Sequence, residues 1–102
     1  MVSVVLLNGG TPDTVGLIPM WLDKDDPRPA KEQLNEHYAH GGGWQPFKGF
    51  VLRKDGGIKY PGDPPHKPLA MMALRDEVIM FYAHGWVMIL QKDGSYEISR
   101  MD

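Results

Sequence analysis

A chain of 102 residues, 42% of them hydrophobic, is one domain's worth of sequence with enough apolar content for a core. A net charge of −2 gives no electrostatic footing for nucleic acid or for an anionic membrane surface. With no cysteine, a disulfide framework and a thiolate zinc site are both excluded.

The apolar stretch Val4–Leu7 is too short for a signal peptide. The longest unbroken apolar runs, Leu69–Leu74 and Val78–Ala83, fall far short of the ~20 residues a membrane helix needs. A soluble, cytoplasmic protein is the expectation.

Val2–Leu7 is rich in β-branched residues and is closed by Asn8-Gly9-Gly10, which reads as a strand. Being apolar on both faces, it is expected inside the sheet rather than at an edge. Thr11-Pro12-Asp13 has the form of a capped first turn, and Pro19 keeps any helix there short. Asp23-Lys24-Asp25-Asp26 reads as a charged loop, with Asp26 capping a helix from Pro27 to about His40. Gly41 would stop that helix. Ala30, Leu34, His37, Tyr38 and Gly41 mark its buried stripe, with Gln33 among the residues outside it.

Phe50–Arg53, the turn Lys54-Asp55-Gly56-Gly57 and Ile58–Tyr60 form a predicted hairpin. The segment from Tyr60 to Pro68 holds four prolines and breaks regular structure. A second helix is predicted from Pro68 to Ala83, ended by Gly85. Trp86–Gln91, the turn Lys92-Asp93-Gly94-Ser95 and Tyr96–Arg100 complete the chain as another hairpin.

The two halves look alike. Tyr38-Ala39-His40-Gly41 recurs as Tyr82-Ala83-His84-Gly85, with Trp44 and Trp86 following. Residues 50–60 align without gaps to 88–98. The predicted fold is therefore α+β: an αββαββ duplication within one domain, 1–102, with halves at 27–60 and 68–100. Its largely antiparallel sheet of about five strands would carry two main helices on one face.

Few residues suggest chemistry. His37 and His40, three apart, have a spacing that could hold a metal but lack a completing ligand, so no metal or cofactor is expected. His40 and His84 fit helix ends better. The glycines at 9–10 and 41–43 lack the Lys and following helix of a phosphate loop. Asp23, Asp25 and Asp26 lack the spacing of a calcium loop. No nucleophile motif is present, and the enzyme question stays open, leaning against catalysis. Trp21, Trp44 and Trp86 read as core residues.

The predicted helix 68–83 is apolar nearly all round, which asks for burial on more than one side. The leading expectation is thus a non-catalytic protein-interaction module acting as a homodimer. Met72, Ile79, Met80, Pro64 and Pro65 are its candidate partner residues. The alternative is a small ligand-binding or enzymatic domain with a pocket near His40, His84 and Trp44. Nucleic-acid binding ranks third, on Lys48, Arg53, Lys54 and Lys59 with Phe50 as a stacking ring.

The segments Tyr60-Pro61-Gly62-Asp63-Pro64-Pro65, Pro68-Leu69-Ala70, Leu74-Arg75-Asp76-Glu77 and the ending from Asp93 to Asp102 resemble a family of short bacterial proteins. The resemblance covers most of the chain, including Gly41-Gly42-Gly43-Trp44. It implies a bacterial origin, with phage or mobile elements as a further source. It supplies no activity and no catalytic residue.

Overall fold

The apolar run predicted as a second helix folds instead as a β-hairpin. In the computed structural model, which describes residues 4–15, 22–38 and 45–100, Ala70–Leu74 (β5) and Glu77–Phe81 (β6) pair antiparallel across a two-residue turn. Arg75 makes that turn with a φ of 52°. The physical reason lies in the alternation. Ala70, Met72 and Leu74 on β5, and Glu77, Ile79 and Phe81 on β6, are all buried, and the residues between them are only partly covered or exposed. That is a period of two. A helix would spread the same residues around its circumference.

β5 and β6 lie second and third in a six-stranded sheet ordered β1-β5-β6-β7-β8-β2. The other strands are Val4–Leu6 (β1), Gln45–Phe47 (β2), Trp86–Gln91 (β7) and Tyr96–Arg100 (β8). Every pairing is antiparallel. A separate two-stranded ribbon joins Val51–Leu52 (β3) to Ile58–Lys59 (β4). Among the described residues the helices are Pro12–Val15 (α1), a single turn, Ala30–Tyr38 (α2), and a 3-10 turn at Ala83–Gly85. The fold is mainly β, which corrects the α+β expectation, its two main helices and its αββαββ order.

The supposed duplication divides on this point. Tyr38 ends α2, whereas Tyr82-Ala83-His84-Gly85 links two strands, so Gly85 stops no helix. The Asp-Gly turns do match. Asp55 Oδ1 accepts from Gly57 N and Asp93 Oδ1 from Ser95 N, each at 2.9 Å. Gly56 and Gly94 take φ of 83° and 91°, where a side chain would be strained. One hairpin nevertheless sits in the ribbon and the other in the main sheet.

Two cores result, one on each face of the sheet. On the first, Leu22, Ala30 and Leu34 from the α2 region pack on Ala70, Met72, Leu74, Ile79, Phe81, Val87 and Ile89. On the second, the ribbon's Ile58, Leu52 and the adjoining Phe50 pack on Met80, Met88 and Ile98. The chain is thus layered as helix, sheet, ribbon. On the second side of β6, Met80 is covered in this way.

Several local features follow. Glu77 is buried, and its carboxylate accepts from Ala30 N, the first amide of α2, at 2.8 Å. Gln91 Nε2 donates to its other oxygen at 2.8 Å. Gln33 is buried rather than outside the helix stripe. Its side chain accepts from Asp23 N at 3.0 Å and donates to Arg28 O at 3.0 Å, holding the preceding loop. Arg75 donates to the carbonyls of Lys24, Asp26 and Arg28, tying the same loop to the hairpin tip. The helix accordingly begins at Ala30, later than Pro27, and Asp26 accepts from Arg28 N at 2.9 Å instead of capping α2. β1 is the outermost strand of the described sheet, which corrects its expected interior place.

Tyr82 joins the sheet to the ribbon: its hydroxyl donates to Gly56 O at 2.6 Å and its ring is fully buried. Burial, with Asp55 adding a smaller push, raises its phenol well above the ordinary value of about 10. The folded state therefore holds the neutral phenol more firmly than the unfolded chain does. That contribution is complete below the unfolded phenol's pKa and is lost as pH climbs through the folded one. Tyr82→Phe is expected to cost about 1 kcal/mol at neutral pH. In urea titrations the variant should also lose less stability than the wild type as pH rises above about 10. Parallel losses in the two proteins would contradict the assignment.

Candidate functional site

The residues that the sequence assigned to a partner separate in the structure. Met72 and Ile79 are buried on the helix-covered face. Met80 is half-buried on the opposite face, against the ribbon. Pro64 and Pro65 are exposed on the loop that follows β4. That loop turns back through a bond from Asp63 N to Tyr60 O at 3.0 Å and rejoins β4 by a two-way bridge between His66 and Ile58. It leads into β5, not into a helix.

Of the alternative pocket set, His40 and Trp44 lie outside the described residues, as does Trp21. His84 is exposed at the Ala83–Gly85 turn with a φ of 65°. His37 lies in α2 with its side chain outside the description. No cluster of three or more metal-ligating side chains occurs among the described residues. In the Asp23–Asp26 loop, Asp23 Oδ1 accepts from Asp25 N at 2.9 Å. Hydrogen bonds from the Arg28 side chain and amide hold the Asp26 carboxyl down at about 2, so that carboxylate is committed to Arg28. Lys48, Arg53, Lys54 and Lys59 are exposed on or beside the ribbon. Phe50, the proposed stacking ring, is half-buried between Tyr60 and Trp86.

Two surface features stand out on the ribbon side of the sheet. The first is a cavity of about 240 Å3 lined by Phe50, Tyr60, Asp63 and Trp86. Phe50 is central. Its ring meets Trp86 edge-on at 4.9 Å and Tyr60 at a tilt at 5.1 Å. Arg100 lies over the Trp86 ring at 5.6 Å. Trp86 is half-buried, not a full core residue. Part of this was readable: Val51 pairs with Lys59, so Phe50 and Tyr60 are the next cross-strand pair of the predicted hairpin. The approach of Trp86 and Asp63 is tertiary and left no sequence signal.

The second feature is a partly exposed apolar stretch that borders the ribbon-side core, against which its Leu90 packs. The register aligns Ala73, Val78, Leu90 and Tyr96 in one row across four strands, and Val5 beside Met71 in the next. Val5 is 50% exposed and Tyr96 41%, with Ala73 also exposed. Met71, Val78 and Leu90 are half-covered. No charged side chain interrupts these rows.

No helix among the described residues is long and apolar enough to cross a membrane. No family model, curated protein or solved structure matches the chain.

Proposed function

We propose that the protein is a non-catalytic interaction module that associates with a second copy of itself through the partly exposed apolar rows and the adjoining edge strand β1. The carrying observation is the uncharged patch of Val5, Met71, Ala73, Val78, Leu90 and Tyr96, which runs out to an edge where Val5 and Leu6 are also exposed. An exposed strand edge is a template for pairing. β1 is self-complementary in this respect. Set antiparallel to its own copy about Val5, it places Val5 opposite Val5 and Val4 opposite Leu6, apolar at every position. A patch without charge meets its copy with no like-charge penalty. The lack of cysteine fits a reducing, cytoplasmic setting for such a module.

Sedimentation velocity at roughly 50 µM should show a dimer, with a Kd on the order of 10 µM, about −7 kcal/mol. Val5→Glu and Val78→Glu each place charge on the patch and are expected to weaken association by at least about tenfold. A monomeric wild type at that concentration overturns the reading. So would dimers of unchanged affinity in both variants.

A further inference from the structure

The aromatic cavity is a separate feature from the apolar rows, and we infer that it is a binding site for the head of an organic cation, an alkylated ammonium group. Three observations converge. Three rings, Phe50, Tyr60 and Trp86, line the same opening, and aromatic faces carry the negative side of a quadrupole that attracts cations. The fourth lining residue among those described is Asp63, an anion, so ring and carboxylate favour the same ligand charge. The indole of Trp86 already receives a cation within the molecule, the Arg100 guanidinium at 5.6 Å, although Arg100 does not line the cavity. Because Trp86 is shared in this way, most of the added attraction for a ligand comes from Tyr60, Phe50 and Asp63.

The walls are built for capture. Phe50 is wedged between its two aromatic neighbours at 4.9 and 5.1 Å, which fixes the ring cluster before any ligand arrives. Asp63 stands on a proline-rich loop closed by a hydrogen bond that its backbone N–H donates to Tyr60 O at 3.0 Å, so the carboxylate is held close to the residue that supplies one ring. Lys59, next to Tyr60 in β4, belongs to the opposite side of the ribbon by strand alternation and does not line the cavity. At about 240 Å3 the space is below the ~300–1,000 Å3 of pockets that swallow whole small molecules. It suits one head group, such as the trimethylammonium of choline or of a methylated lysine side chain.

The test is titration of the intact protein followed by NMR at the Trp86 indole N–H. Probes are choline, its uncharged isostere 3,3-dimethyl-1-butanol, and Nα-acetyl-trimethyllysine amide. With so few contacts a Kd in the range of about 1–10 mM is expected, so titration should reach about 100 mM. Choline should shift the Trp86 signal and the alcohol should not. Tyr60→Leu should weaken choline binding by roughly two- to fivefold, the worth of one partly exposed ring. Asp63→Asn should weaken it by about threefold, and wild-type binding should fall with added salt more than the variant's. Both residues are exposed, so neither change threatens the core. Tighter binding of the lysine derivative identifies a peptide as the source of the cation. Tighter binding of choline identifies a free, small quaternary ammonium compound. The inference is overturned if the alcohol binds as well as choline, if both variants bind choline like the wild type, or if no probe moves the Trp86 signal.

Discussion

Met72→Lys is expected to abolish folding or to cost at least about 5 kcal/mol, while Ala73→Lys one residue away should change stability by no more than about 0.5 kcal/mol. Met72 is 1% exposed, within the core between the sheet and α2. A lysine there must either drag its charge into the core or unfold the region. A domain of this size is stable by only about 5–15 kcal/mol, so one such group consumes most of the margin. Ala73 is exposed on the other face. Leu74→Lys should also be strongly destabilising, since Leu74 is fully buried, but less so than Met72→Lys because the Glu77 carboxylate is its cross-strand partner. The three neighbours together decide between strand and helix. On a helix, successive residues are turned by about 100°, so 72 and 74 could not share a face that excludes 73. Urea unfolding in dilute solution measures all three. Equal tolerance of 72 and 73 would be incompatible with β5. Ala73→Lys should in addition drive the proposed dimer to monomer.

That contrast isolates what the sequence did not reveal. Residues 69–83 are apolar at nearly every position, so a period of two and a period of 3.6 both find matches in them. Ala, Met and Leu dominate the first half, and these are strong helix formers. The turn, Arg75-Asp76, lacks the Asn-Gly or Asp-Gly signature of a tight hairpin and resembles a polar interruption on a helix. The residues that argue for strands are Val78, Ile79 and Phe81, and alone they are too few to outweigh the helix formers before them. The spacing of Gly85 after the run misled for a similar reason: it fits a helix stop, but here it takes a φ of 80° at the turn into β7.

Elements with a strong local grammar were legible. The Asp55-Gly56 and Asp93-Gly94 turns form as their residues dictate, because an Asp side chain can hold the amide two residues on and Gly alone adopts the required φ freely. The turn Asn8-Gly9 after β1, the cap of α1 by Thr11, and the burial of Ala30 and Leu34 were also readable. Sheet order was not. Nothing local tells that β1 pairs with β5 or β2 with β8, pairings that span most of the chain. The aromatic cavity depends on that long-range order, because it joins ribbon, loop and β7. Only its Phe50–Tyr60 half was accessible beforehand.

Glu77→Ala should cost about 3 kcal/mol, lowering Tm by roughly 12–24 °C, with the loss centred on α2. The site inverts the usual arrangement of a helix start. An N-terminus leaves its first amides without partners, and a nearby residue in the chain normally supplies an oxygen. Here the oxygen comes from β6, 47 residues away in sequence, and reaches Ala30 N at 2.8 Å in a buried setting. Its negative charge also suits the positive end of the helix dipole. The second oxygen, bonded by Gln91 Nε2 at 2.8 Å, fixes the carboxylate in place. Truncation leaves the Ala30 amide buried without an acceptor and Gln91 without its anion, which is why the expected cost exceeds that of an ordinary hydrogen bond. Glu77→Gln keeps the size and one acceptor, and should lose about half as much. Hydrogen exchange should show the α2 amides losing protection in Glu77→Ala, while those of the β7–β8 pairing keep theirs relative to global stability. Since Leu34 and Ala30 cover Met72 and Ile79, loosening α2 exposes the first core and nothing on the ribbon side. Choline-dependent shifts at Trp86 should therefore persist in the folded fraction of Glu77→Ala. A Glu77→Ala protein as stable as the wild type would show that α2 is anchored by its apolar stripe alone.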